Sequence, residues 1–307
     1  MGPYEDLLKQ TREWLQFQTG LAIVRWDLQT FMPPKGMKQR SEQLALMSKL
    51  LHRMATSKKV QRLVTKLEKN IDNLNPIQQR EVELVDRMLK RRASIPEDLV
   101  SKESAQKTLA TAAWKRAKET NHWKLFESEL STLLEISRKI ADIMMEGIGA
   151  KCQLDACLDV WEPRMTTKSV SRVFSDLRKK LVPLVKKYQF ACGNLQVDFK
   201  KRKVSLNHQR RLVTDLANVM GYDTISENAG GRIDESKHPF TTGYYDDVRF
   251  TIHYQEDDVF RAVFGGLHET GHALHNQNQN PAWKWMMLGK SCSSGFSESQ
   301  SRFIENI

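Results

Sequence analysis

"GGLHETGHALHNQ", residues 265–277, is the stretch on which the reading of this chain turns. Read as an amphipathic helix, it carries His268 and His272 four residues apart. That spacing stacks both imidazoles on one face, about one turn apart, so that they can grip a single ion. Imidazole suits zinc and neighbouring divalent metals. Glu269, next to the first histidine, can face a water at the metal and act as general base. A catalytic zinc site takes three protein ligands. The long zincin pattern would place Gly at 275 and His at 278, but those positions hold His275 and Asn278. His275 lies about 10 Å along the axis from His268, too far to share the ion, and reads as a surface or pocket-lining side chain. A carboxylate on a later helix is the better third ligand. Glu298 in "FSESQSRFIEN" fits, with Glu305 among the alternatives.

Upstream lies the one interruption of a helical pattern. Between residues 229 and 254, Val248, Phe250, Ile252 and Tyr254 alternate with Arg249, Thr251 and His253. This is the period of a strand with one buried face, and the only convincing strand in the sequence. Beside a helix that carries a metal and a base, an edge strand can hold the backbone of an extended peptide by strand addition.

Everything else reads as helix. Residues 4–31 are amphipathic and end at "MPPKG", where prolines remove backbone donors. A second helix runs from about Arg40 past Leu51. Asn75–Pro76 is a cap followed by proline at the first helical position, opening a helix to about Arg92. Ile95–Pro96 opens the next, Asn121 separates two more, and Gly147 and Gly149 close the second. Residues 162–170 read as a loop with threonine caps, followed by a helix interrupted at Pro183. Ser205 caps a helix to about Met220. No repeat or low-complexity linker marks a domain boundary, so residues 1–307 are expected to form one mostly helical domain.

Composition excludes several classes. At 40% hydrophobic and 28% charged, the 307 residues have a normal globular balance. The longest apolar runs are a few residues, such as Leu21 to Val24, far from the roughly 20 a membrane span needs. No signal pattern opens the chain, and Asp6 stands where a myristoylation motif wants Ser or Thr. Cysteines at 152, 157, 192 and 292 form no C-x-x-C pair and read as reduced thiols in a cytoplasmic protein. The charge of +11 is concentrated at 35–69 and 178–211, including "FKKRKV" at 199–204. It reads as the polar faces of amphipathic helices, since no aromatic platform for nucleic acid is interleaved. A basic surface favours anionic partners, acidic peptides included.

Several segments in order carry a family resemblance: "VRWDLQTFMPPKGMKQRSEQLALMSKLLH" at 24–52, "DACLDVWEP", "GRIDESKHPFTTG", HPF at His238–Phe240, D-x-R-x-T at Asp247–Thr251, H-E-x-x-H at 268–272 and E-S-Q-S-R at Glu298–Arg302. Together they resemble the thermostable carboxypeptidases of peptidase family M32. The resemblance implies a mainly α, helical groove-type metallopeptidase, with one small β region near 230–254 beside the metal-binding helix. It implies release of single amino acids from peptide C-termini and, commonly, a homodimer. Carried over by position, His268, His272 and Glu298 are the metal ligands for zinc, or for cobalt or manganese. Glu269 is the base, and His238 and Arg249 line the substrate site; for Arg249, pairing with Asp247 is an equal alternative. Two positions depart from the family: Ser297 where it usually has His, and His275 where it usually has Tyr. The family's later I-R-x-x-A-D and G-x-x-Q motifs have no counterpart here. The expectation is therefore an N-terminal portion with one groove wall missing, prone to self-association and weakly active. The competing function is a catalytically inactive homologue that binds peptides or a partner.

Overall fold

The computed structural model describes residues 2–191 and 202–306. Cys192 and the first part of the basic run at 199–204 lie outside them.

Several helices begin at recognisable local signals, a capping side chain or a proline in the first turn. α1 (Pro3–Gln29) carries proline in its first turn, with Glu5 and Asp6 against the positive end of the helix dipole. "PKG" forms a 3₁₀ turn at Pro34–Gly36. The expected second helix is α2 (Met37–Ala55), and an unanticipated α3 (Lys58–Glu68) follows it, because Ser57 caps a new start by accepting from the Val60 amide. At α4 (Pro76–Arg92) Asn75 and Gln78 form a reciprocal capping box. α5 (Glu97–Glu119) and α6 (Lys124–Ile148) follow, separated by Asn121 at φ 49°, with α6 closed by left-handed Gly149. α7 (Gln153–Trp161) and α8 (Thr167–Ala191) come next. α8 runs unbroken through Pro183, contrary to the sequence reading. Proline costs that helix one amide bond, and the strong helix formers on both sides carry it through. α9 (Leu206–Val219) starts at Ser205, which accepts from His208. α10 (Val259–Gln277) carries the histidine pair, and α11 (Ser294–Glu305) the later carboxylates.

Between α9 and α10 lie three strands rather than one: β1 (Gly231–Glu235), β2 (Phe240–Tyr244) and β3 (Asp247–Ile252), in the order β1-β3-β2. β1 runs parallel to β3 and β2 antiparallel. The anticipated alternation is real: Val248, Phe250 and Ile252 are 0–1% exposed and pack with Val213, Tyr222, Ala262 and Ala273. β1 and β2 lack such a pattern and are only half-buried, so their pairing comes from tertiary contacts. The Tyr222 hydroxyl accepts from the Arg232 amide at 2.8 Å and donates to the Val248 carbonyl at 2.6 Å, tying β1 to β3. Gly243 sits at φ 131°, where a Cβ would fall 2.2 Å from the Asp247 carbonyl oxygen.

A second core joins α1 to α4 through Leu7, Trp14, Leu15, Leu44, Val64 and Val82. Among the described residues no helix is long and apolar enough to cross a membrane.

Candidate metal centre

The centre forms where α11 crosses α10 with backbones nearly touching. A Cβ on Gly271 would lie 2.6 Å from both the Gln300 carbonyl oxygen and the Ser301 Cα. Three anchors hold α11 there. Glu81 of α4, fully buried, accepts from the amides of Met287 at 2.8 Å and Leu288 at 3.0 Å in the preceding loop. Ser293 caps the helix, and Glu162 accepts from the Gly295 amide at 3.0 Å.

That crossing brings Glu298 to the histidine pair. Its Oε2 lies 3.7 Å from His268 Nε2 and 3.4 Å from His272 Nε2. One donor atom from each of the three residues lies within 4.8 Å of the others. Ligands at zinc-like bond lengths in a tetrahedral shell stand roughly 3.3–3.5 Å apart, so the donor set fits a divalent ion. Burial, then the neighbouring His268, holds His272 below the usual imidazole value. The neutral ring is the form that can ligate.

Glu269 lies beside them, 6% exposed. Burial pushes its carboxyl above the usual range, and a hydrogen bond from Thr241 pulls the other way. Thr241 Oγ1 on β2 donates to Glu269 Oε2 at 2.6 Å. β2 is itself braced on α1, with the Phe240 and Trp26 rings 5.3 Å apart.

The family description "Carboxypeptidase Taq (M32) metallopeptidase" matches residues 6–307. Carboxypeptidase 1 of Bacillus subtilis is 32% identical over 98% of this chain and 58% of its own length. A crystal structure titled BsuCP superposes at a TM-score of 0.93, with 30% identity, over 100% of this chain and 60% of that one. Metallocarboxypeptidase 1 of Trypanosoma cruzi superposes at 0.85, with 28% identity, over 99% and 60%. The chain belongs to peptidase family M32. It spans somewhat under two thirds of the length of these relatives.

Not every anticipated residue of this M32 chain joins the cluster. His238 sits exposed in the turn between β1 and β2. Arg249 pairs with Asp247 through two hydrogen bonds of 2.7 and 2.8 Å. It lies on the sheet face opposite Phe250 and its partner Thr241, so it points away from Glu269. Among the described residues neither contacts the histidine pair, Glu298 or Glu269. His275 packs against Phe296 with ring centroids 5.5 Å apart and stays out of the cluster. Glu305, the alternative ligand, meets the other side of His268, with Oε2 3.0 Å from Nδ1. Ser297 Oγ lies 3.2 Å from His272 Nδ1. Sequence reasoning passed over Thr241, because β2 has no pattern of its own. It also passed over Arg302, which the helical spacing 298, 302, 305 puts on one face.

Proposed function

We propose that this chain carries a metallocarboxypeptidase centre that releases residues from peptide C-termini. In this reading His268, His272 and Glu298 hold one divalent ion, zinc first and cobalt or manganese as alternatives, with Glu269 as general base. The observation that carries it is the meeting of two imidazole nitrogens and a carboxylate oxygen within 4.8 Å beside a buried glutamate. When bound, the ion supplies Lewis-acid polarisation of a carbonyl and makes water acidic enough to attack.

The chain's own residues supply the rest. Thr241 occupies Glu269 Oε2, which leaves Oε1 free to take a proton from the attacking water and return it to the departing amine. A raised carboxyl suits that exchange, because a base near the working pH both gains and gives up a proton readily. β2, an outer strand beside Glu269, offers main-chain groups to an extended peptide. Arg249, paired with Asp247 on the opposite sheet face, takes the structural role of its two alternatives in this reading.

Two measurements test the reading. Elemental analysis should find about one divalent ion per chain in the parent and clear loss in His272→Ala; equal content would remove the assignment. Glu269→Gln should retain the ion and lose cleavage of peptides with a free C-terminus, since an amide cannot accept the proton. Parent-level turnover in Glu269→Gln would mean that another residue is the base.

A further inference from the structure

We infer that Glu305 is a positioning residue that fixes His268 as a ligand, and that Arg302 braces it, so that α11 sets all three donors of the centre. The inference rests on the metal-centre reading above. A histidine can ligate through Nε2 only when Nδ1 carries the proton, and an acceptor at Nδ1 fixes both tautomer and ring angle. Glu305 and Glu298 lie on opposite sides of the His268 ring. Glu298 Oε2 is nearest Nε2 at 3.7 Å, and Glu305 Oε2 is at Nδ1 at 3.0 Å. Glu305 is the more enclosed of the two carboxylates, with a side chain 19% exposed against 47%.

Arg302 then joins them. Its Nη1 donates to Glu305 Oε2 at 2.8 Å, the oxygen that His268 meets, and its Nε donates to Glu298 Oε1 at 3.2 Å. One guanidinium therefore occupies Glu298 Oε1 and leaves Oε2 for the ion, while it holds Glu305 against the histidine. The residues follow one another along a single helix face, at 298, 302 and 305. His272 has a weaker counterpart in the uncharged Ser297 hydroxyl at 3.2 Å. Hydrogen bonds with a charged partner are roughly twice as strong as neutral ones, so the two ligands are braced unequally.

The test is zinc titration of the 307-residue chain against a chromophoric chelator. Glu305→Ala should weaken zinc binding by about 10–100-fold, as loss of a ligand's hydrogen-bond partner does. Arg302→Met should weaken it in the same direction, and Ser297→Ala by less than Glu305→Ala. Glu305→Gln keeps an acceptor oxygen and should recover much of the loss, which a side chain that merely packs would not do. Cobalt loaded into Glu305→Ala should keep the visible band shape of the parent, because no ligand has been removed. Parent-like zinc affinity in Glu305→Ala overturns the inference. So does a cobalt band altered as in Glu298→Ala, which would make Glu305 a ligand. If His272→Ala also binds zinc like the parent, it is the centre that fails, and the inference with it.

Discussion

Thr241 is the side chain through which the sheet reaches the chemistry. Its hydroxyl satisfies one oxygen of the buried Glu269 and draws its carboxyl down against the upward push of burial. Thr241→Val keeps the shape and removes the donor. The Glu269 carboxyl should then rise further. A base works deprotonated, so the acidic limb of the pH–kcat/KM profile should move to higher pH, and the rate at neutral pH should drop about tenfold. A limb that stays in place in Thr241→Val would show that the hydroxyl does not tune the base. At this scale the motif alone made His268, His272 and Glu269 legible, because i, i+4 geometry follows from the helix itself. It left Glu298 and Glu305 open, because choosing between two carboxylates seven residues apart requires knowing which side of the His268 ring each one meets.

Between elements, the decisive contact is α10 on α11. In an isolated helix Gly271→Ala would be favourable by about 1 kcal/mol. Here the added carbon would fall 2.6 Å from backbone atoms of Gln300 and Ser301, which cannot rotate away. Gly271→Ala should therefore destabilise the fold by about 1–3 kcal/mol, the range for overpacking, and should weaken metal binding by lifting Glu298. Gly265→Ala on the same helix meets nothing within 4 Å and should stabilise by about 1 kcal/mol. Thermal unfolding of the two variants checks the contrast; equal shifts would contradict it. Helix starts were readable at Asn75 and Ser205, whose side chains cap locally, and at Pro96, where proline and the acidic Glu97 and Asp98 mark the first turn; the local cap at Ser57 was passed over. β1 and β2 were not, since their hydrogen-bond partners lie on β3.

Over the whole molecule, two features predict behaviour. Lys290, in the loop before α11, reaches Gln18 Oε1 at 3.1 Å and lies over Trp14 of α1. Burial, then Arg92 and Arg91, push its amine from the usual 10.5 down to about 8. Below pH 8 both folded and unfolded chains hold the proton, and the buried charge costs its full amount. Between pH 8 and 10.5 the unfolded chain binds more protons, so stability rises with pH. Lys290→Met should therefore gain on the order of 1–2 kcal/mol at pH 7, an advantage that fades by pH 10 in denaturant titrations. An advantage equal at both pH values would refute the assignment. The second feature is α8, where Phe174, Leu177, Leu181, Leu184 and Tyr188 form a stripe 47–63% exposed. Its 25 residues include seven basic side chains and one acid. Exposed apolar area promotes association and like charge opposes it, so self-association should grow as salt screens the lysines and arginines. Sedimentation velocity at 0.1 and 0.5 M salt should register this, and Leu177→Lys with Leu184→Lys should abolish it. A monomer under both conditions would count against the stripe as an associating surface.

By itself the sequence determined what depends on near neighbours along the chain: the helical class, the caps, the buried face of β3 and the histidine pair. Each follows from hydrogen bonds or side-chain periods that close within a few residues. Tertiary structure alone decided what depends on distant residues meeting. Glu298 reaches the histidine pair because Gly271 admits the backbone of α11. Glu305 goes to the far side of His268, and Thr241 reaches Glu269, 28 positions further along the chain. A donor's place around an ion is set by packing between helices, and no local period in the sequence records it.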